Sequence, residues 1–441
     1  MIRIDYTRSL LGGNMQVRID LEQSRIVVSL SASKKERESL YGGKMSDLLE
    51  FSIASNGPFD FRMVHQDHLA LIVLLAAHPF ATGKLPIPLH VSKQFEKATR
   101  IFSRYRPEFL STSGKPYTST SDGKPGLAFS GGMDSTAALA LMPDKTVPVF
   151  LDRPHRANTT LYNKSAAKAT LAFLEAKGVP NIAISTDVEF IRNPVGFPTD
   201  LATGIPVLAL ASHFQFDSVG FGTVMESAYR IGHEKSRDYI ESPHYKVWAP
   251  LFLAAGLPLF LPVAGVSEVG TSTIVHRSPY RGMARSCIRG DWPQTCDNCW
   301  KCFRKKLIEH GINQTDFSER QFLESLQSKE VVSKLSAEFI SHENVLGWAL
   351  NKIKRGPMLD VLFNRLVAST YPLQHLEAFY PPAIDLVPPK YRLHVLEQLR
   401  TYLPEMKEVD QRRIIEQDFT EHLNTPQHQK NVRTLMALLK I

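Results

Sequence analysis

With 441 residues, 43% of them hydrophobic and 22% charged, the chain exceeds the size at which one hydrophobic core stops growing. A single small module and a disordered or low-complexity chain are thereby excluded, and two or three domains are expected. Lysine and arginine (52) outnumber aspartate and glutamate (44), a formal net charge of +8 that is mild for this length. It suits an anionic ligand such as a nucleotide, and is weak evidence for nucleic acid.

The segment from Met1 to Tyr6 mixes acidic and basic residues without an apolar run, so a secretory leader is not expected and a cytoplasmic location is. Residues 16–30 read as two strands, with Val17, Ile19 and Leu21 alternating before a polar turn and Ile26, Val27, Val28 and Leu30 after it. Helices are predicted over Asp67–Ala77 and Ser92–Tyr105. The Ser/Thr/Gly-rich run from Ser111 to Gly123 reads as a linker closing an N-terminal α+β extension at residues 1–120.

From Gly126 the pattern becomes strand, turn, helix, repeated, as a parallel sheet with crossover helices requires. Strands are predicted at Gly126–Phe129, Val147–Leu151, Asn181–Ser185 and Ser218–Gly222. The helices between them are Asp134–Leu141, Asn158–Lys177 and Gly204–Phe214. The expected fold is therefore α/β, a doubly wound parallel sheet over residues 121–310 whose ligands bind at the C-terminal ends of the strands. The uncharged stretch Val247–Ser267 is broken by Pro250, Gly256, Pro258, Pro262 and Gly265, so it reads as buried core and no membrane span is expected. Residues 311–441 read as a helical C-terminal region, with Leu359, Leu362, Phe363 and Leu366, then Leu393, Leu396, Leu399 and Leu403, as core stripes.

Two segments carry chemistry. Immediately after the first parallel strand stands Ser130-Gly131-Gly132-Met133-Asp134-Ser135-Thr136, running into a helix. Two glycines let backbone N–H groups turn toward an anion, the helix start adds positive dipole, and three hydroxyls add donors, so pyrophosphate fits the cradle. Asp134 could help hold Mg²⁺ on the phosphates. A Walker A loop is absent, since Gly123-Lys124 is followed by Pro125. Without a lysine of its own the loop suits pyrophosphate as a leaving group rather than γ-phosphoryl transfer. The plain alternative is a glycine-rich turn with Asp134 as a helix-start residue.

The second segment holds all four cysteines, Cys287, Cys296, Cys299 and Cys302, as C-x8-C-x2-C-x2-C. Four thiolates at that spacing surround one metal with no open position, which marks a structural Zn²⁺ in a reducing compartment, with an iron–sulfur cluster as the rival. Clustering of this kind argues against a disulfide framework.

The string SGGMDS after a strand resembles the PP-loop of the N-type ATP pyrophosphatases. Together with the cysteine pattern, Trp248-Ala249-Pro250-Leu251 and Ser286-Cys287, it resembles the 7-cyano-7-deazaguanine synthase (QueC) family across roughly 126–310. The resemblance implies a PP-loop fold and an enzyme using ATP, Mg²⁺ and Zn²⁺. In such an enzyme a substrate carboxylate attacks the α-phosphate, pyrophosphate leaves into the loop, and an amine or ammonia takes the acyl group. Ser130, Asp134 and Ser135 would be catalytic, Gly131, Gly132, Met133, Thr136 and Asp152 would complete the nucleotide site, and the four cysteines would hold Zn²⁺. A homo-oligomer is expected.

This chain departs from that family at Gly204–Ala209, at Gly222–Arg230, and near Ser267-Glu268-Val269, where a lysine is missing. Two acceptors are therefore open: a deazaguanine-like carboxylate, or a partner protein as in the enlarged QueC-like proteins of defence operons. A PP-loop enzyme modifying tRNA and a non-catalytic nucleotide-binding assembly factor are the alternatives. Glu226, Arg230, His233 and Glu234 follow a strand end and are either acceptor contacts or a solvated loop. Arg304, Lys305 and Lys306 read as a solvated basic helix start, or as phosphate contacts.

Overall fold

The computed structural model describes residues 2–4, 15–32, 37–38, 42–47, 49–154, 163–284, 287, 289–292 and 294–439. Met1, the start of the helix expected at Asn158, and Ser286 lie outside them.

The strands are β1 (Ile2–Ile4), β2 (Met15–Leu21), β3 (Arg25–Ala32), β4 (Lys44–Met45), β5 (Glu50–Ala54), β6 (Gly83–Ser92), β7 (Tyr105–Gly114), β8 (Lys124–Phe129), β9 (Val147–Asp152), β10 (Ile182–Thr186), β11 (Arg192–Asn193), β12 (Phe216–Gly220) and β13 (Leu259–Phe260). Nine of them form one sheet in the order β1-β2-β3-β5-β10-β9-β8-β12-β13. The last five run parallel, so in their own chain order they stand third, second, first, fourth, fifth. That arrangement is doubly wound, and its strand order reverses between β8 and β12.

The parallel sheet is not the whole of it. β1, β2, β3 and β5 pair antiparallel, and β5 joins the edge of β10 through Ser185 opposite Ala54 and Thr186 opposite Ile53. One hydrogen-bonded sheet thus runs across the boundary expected near 120. The extension covers a sheet edge that would otherwise expose unpaired backbone groups.

The N-terminal helices are α1 (Gln66–Ala77) and α2 (Lys93–Thr99); those of the sheet are α3 (Met133–Leu141), α4 (Lys164–Ala176), α5 (Ile205–Phe214), α6 (Met225–Ala228), α7 (Pro243–Ala254), α8 (Glu268–Arg277) and α9 (Trp300–Asn313). They are followed by α10 (Glu319–Ser325), α11 (Lys329–Leu335), α12 (Glu343–Lys352), α13 (Pro357–Arg365), α14 (Arg392–Tyr402), α15 (Glu408–Glu416), α16 (Thr420–Leu423) and α17 (Pro426–Leu439). Two apolar cores result. One joins α1, α5 and α7 to the antiparallel strands, and the other gathers α3, α8 and α14 with Leu127, Phe129 and Phe260. The continuous apolar run of α1 is explained by burial all round, since Leu69 to Ala77 are buried without exception.

Three expectations are corrected. The helix predicted to Tyr105 ends at Thr99, and the segment read as a linker is strand through Gly114, because Ser and Thr side chains suit the parallel pairing of β7 with β6. Leu393 is 70% exposed while Leu399 and Leu403 are buried, so the stripe of α14 turns away from the core at its first member. No helix among the described residues is long and apolar enough to cross a membrane, and Trp248, Leu251, Phe252, Leu257 and Leu261 are buried, as expected for Val247–Ser267.

Candidate functional site

The site lies where the strand order reverses, beyond the C-terminal ends of β8 and β12. Chain leaving β8 must turn at once into α3, and Gly131 makes that turn at φ +69°, with its missing Cβ position 2.9 Å from Thr170 Cγ2. A side chain there is both strained and crowded. The loop is braced internally. Ser135 Oγ–H donates to the Gly132 carbonyl (3.1 Å) and accepts from the Ser130 hydroxyl (3.0 Å) and Ser130 N–H (3.3 Å), while Gly132 N–H donates to Ser130 Oγ (3.3 Å). On the β12 side Gly222 lets its own loop press on the start of α3: a Cβ there would sit 2.7 Å from the Ser135 nitrogen.

Between these loops opens a cavity of about 220 Å³, with Ser130, Gly132, Asp134 and Ser135 on one wall and Gly222 and Thr223 on the other. Phe150, Leu151, Arg153 and Phe197 supply an apolar and cationic end. A second cavity of about 380 Å³ shares Ser130, Gly132, Phe150, Arg153 and Lys301 and extends to Cys287 and Cys299. The glycine loop therefore lines two adjacent cavities, the second of which reaches the cysteine cluster, at the place where ligands bind doubly wound sheets.

Not every residue of the motif points there. Gly131 lines the second cavity, Met133 lines a hollow on the far side of α3 beside His276, and Thr136 is buried with Oγ1 unpaired among the described residues. Asp152 ion-pairs with Lys164 at 3.0 Å, while its neighbours Leu151 and Arg153 line the first cavity.

Beneath the loop lies a buried charge network. Asp134 Oδ1 accepts from the Thr271 hydroxyl (2.9 Å) and from Lys305 Nζ (3.2 Å), leaving its carboxylate 21% exposed at the cavity. Lys305 also approaches Glu268 (3.5 Å), which Arg304 binds at 2.8 Å and His342 at 3.1 Å. Arg304 and Lys305 are therefore not a solvated helix start. Each is buried because two carboxylates neutralise two cations inside the protein. Burial alone would raise the Glu268 carboxyl, but Lys305, Arg304 and then His342 outweigh it and hold Glu268 well below the usual carboxylate range.

Glu226 is also fully buried rather than part of a solvated loop. It accepts from Glu268 N–H (3.1 Å) and Asn344 Nδ2 (3.3 Å), yet forms no ion pair among the described residues. Burial and then the neighbouring Glu268 charge push its carboxyl up to about 8.

The four cysteine Sγ atoms lie within 4.8 Å of one another, and Cys296 and Cys302 are 3.7 Å apart. A tetrahedral ion with bonds of about 2.3 Å to sulfur places its ligands about 3.8 Å apart, so the donor set fits a metal ion such as zinc. Cys299 also caps α9, its sulfur accepting from Cys302 N–H at 3.4 Å.

Sequence reasoning missed Thr271, Glu268, Lys301 and Asn344 as members of this site, and offered Lys305 as a solvated residue or a phosphate contact rather than as a buried partner of Asp134. A signal existed for one of them: Lys301 stands one helical turn before Lys305 on the helix that starts at the cysteines. For the others no local pattern marks residues that only packing of α8, α9 and α12 brings together.

Fold and site thus define a mixed α/β protein in which a glycine loop at the head of a helix faces a four-cysteine cluster able to hold a metal. Residues 247–418 match a family of unknown function, DUF6395; that segment contains Glu268, Thr271, the four cysteines, Lys305 and Asn344, while the glycine loop lies before it. No curated protein and no solved structure matches the chain.

Proposed function

We propose that this chain is an ATP-dependent enzyme that adenylates a carboxylate and then forms a carbon–nitrogen bond. One observation carries the reading: the loop from Ser130 to Ser135, with its left-handed glycine and bracing hydroxyls, stands at the head of α3 at the strand reversal, beside a cavity open to a ligand. An acceptor carboxylate oxygen attacks the α-phosphorus of ATP. The bond from that phosphorus to the α,β-bridging oxygen breaks, and pyrophosphate leaves with the electron pair into the loop. An amine or ammonia nitrogen then attacks the acyl carbon of the adenylate, AMP departs, and the nitrogen gives up its proton to solvent.

Ser130 and Ser135 and the loop N–H groups would hold the departing pyrophosphate, and Asp134 would help to hold Mg²⁺ through its exposed oxygen. The apolar end at Phe150, Leu151 and Phe197 suits the adenine. Catalysis is then positioning and charge neutralisation, with no protein nucleophile. The cysteine cluster, with four ligands and no open position, suits a structural Zn²⁺. The acceptor we favour is a deazaguanine-like carboxylate taken free, with ammonia as the nitrogen donor.

The test is nucleotide product analysis after incubation with ATP, Mg²⁺, ammonium and 7-carboxy-7-deazaguanine, with and without the acid. Acid-dependent AMP and pyrophosphate with an amide or nitrile product is expected. ADP and phosphate alone would overturn the reading. AMP and pyrophosphate formed without the acid would keep the ATP chemistry and replace the acceptor.

A further inference from the structure

The loop contains no lysine, yet a cation faces it. Lys301 stands in the first turn of α9, between Cys299 and Cys302, and its side chain lines both cavities: the one bounded by Ser130, Gly132 and Asp134, and the one that reaches the cysteines. Lys301 forms no salt bridge among the described residues. The neighbouring basic groups are engaged: Arg289 with Glu330 at 2.7 Å, Arg153 with Glu189 at 3.3 Å, and Lys305 with Asp134.

Charge makes this position informative. The backbone donors and the helix start contribute only partial charges, and the one full charge nearest the loop, on Asp134, is negative and already shared with Lys305. Among the described residues, an anion entering here therefore meets Lys301 as the one lining ammonium without a salt bridge, and a flexible lysine suits a phosphate as a point-charge partner. Its backbone is well held. Cys302 and Trp300 are buried on either side, Trp300 stacks on Phe303 with ring centres 5.6 Å apart, and Cys299 caps the turn.

We propose that Lys301 is the cation that binds phosphoryl oxygens at the Ser130–Ser135 loop, and that the cysteine cluster is the device that positions it. This rests on the reading of the loop as a nucleotide phosphate site. It departs from the expectation that the site has no lysine of its own: the lysine arrives from the cysteine segment instead of the loop.

The test is calorimetric binding of Mg²⁺-pyrophosphate and of Mg²⁺-ATP to the full chain, with metal content measured on each sample. Lys301→Met should weaken pyrophosphate binding by about tenfold or more, as expected for one charge-assisted contact. Lys301→Arg should recover most of the loss, and Lys334→Met, at an exposed lysine of α11, should leave binding unchanged. Wild-type-like binding by Lys301→Met, or an equal loss in Lys334→Met, would overturn the assignment. In case Lys301→Met disturbs the fold or the metal content, amine acetylation of the wild-type protein gives an independent readout. Lys301 should be protected by pyrophosphate, and unchanged labelling in a sample that binds would overturn the proposal. Absence of pyrophosphate and ATP binding in the wild type would instead overturn the phosphate-loop reading itself.

Discussion

Lys305 Nζ lies 3.2 Å from Asp134 Oδ1, a contact that joins the helix of the cysteine cluster to the first turn of the glycine-loop helix across 171 positions of sequence. The lysine side chain is only 4% exposed, so its charge depends on Asp134 and Glu268 for compensation. Burial acts to lower the Lys305 ammonium, and the two carboxylates more than restore it. Removing it leaves Asp134 without a cation among the described residues, and Glu268 to Arg304 and His342.

Lys305→Met is accordingly expected to destabilise the protein by about 3–5 kcal/mol, the usual cost of breaking a buried ion pair from one side. Adding Asp134→Asn should return part of that loss, because the uncompensated charge is then gone. Urea unfolding of the two single variants and the double variant measures the coupling. Strict additivity would mean that the contact contributes nothing.

Gly131→Ala places a side chain at a left-handed position against Thr170 Cγ2. The backbone conformation alone costs about 1–2 kcal/mol. Relief by reshaping the loop should lower ATP affinity by about tenfold or more with the rest of the fold retained, as checked by calorimetry beside circular dichroism. Gly222→Ala is expected to act on the same loop from the β12 side, by pushing on the Ser135 backbone.

The cysteine cluster is expected to hold one metal ion per chain, with loss of the ion on Cys302→Ser or on treatment with a strong chelator. Because α9 starts at Cys299 and carries Lys301, Arg304 and Lys305, metal loss should lower stability by on the order of 3–5 kcal/mol and weaken nucleotide binding together. Elemental analysis with thermal unfolding of the same samples checks both. Full stability in a metal-free sample would separate the cluster from the loop.

Glu226 sets a pH dependence. With its folded pKa raised from 4.5 to about 8, the folded chain holds a proton that the unfolded chain has released, so stability is fully present below pH 4.5 and is lost as pH rises to about 8. Glu343, buried and likewise pushed up to about 8, adds the same sign. His233, lowered to about 4 by burial and then by His342, has the opposite sign below pH 6.5. The net fall should therefore show between pH 6.5 and 8, at up to about 1.4 kcal/mol per pH unit for each carboxyl. Glu226→Gln should flatten part of it in urea unfolding at pH 6.5, 7.25 and 8. Parallel profiles for variant and wild type would assign the slope elsewhere.

Local patterns along the chain were sufficient for four of the five parallel strands of the main sheet, with β13 hidden in the stretch read as buried core, and for the glycine loop at the head of α3 and the cysteine cluster. Each rests on interactions between near neighbours: apolar runs that select strand or helix, glycines that permit a left-handed turn, four thiols within sixteen residues. The burial of Arg304, Lys305 and Glu226 was not legible. A lysine in a basic run looks solvated until the fold supplies its carboxylates, and Glu268 and Asp134 stand 36 and 171 positions away from their cations. Nor does any local pattern say that β5 closes onto β10, because an exposed strand edge is a property of the sheet and not of either segment.

The sequence by itself marked the glycine loop as a candidate anion cradle and the four cysteines as a donor set able to hold a metal, since both depend on chemistry packed into a few consecutive positions. Only the tertiary structure decided that the cysteines and the glycine loop line a common cavity, and that the helix starting at the cysteines brings Arg304 and Lys305 to Glu268 and Asp134. Charges in a low-dielectric interior must be compensated by whatever the fold brings alongside, and that is settled by the packing of α3 against α8 and of α8 against α9.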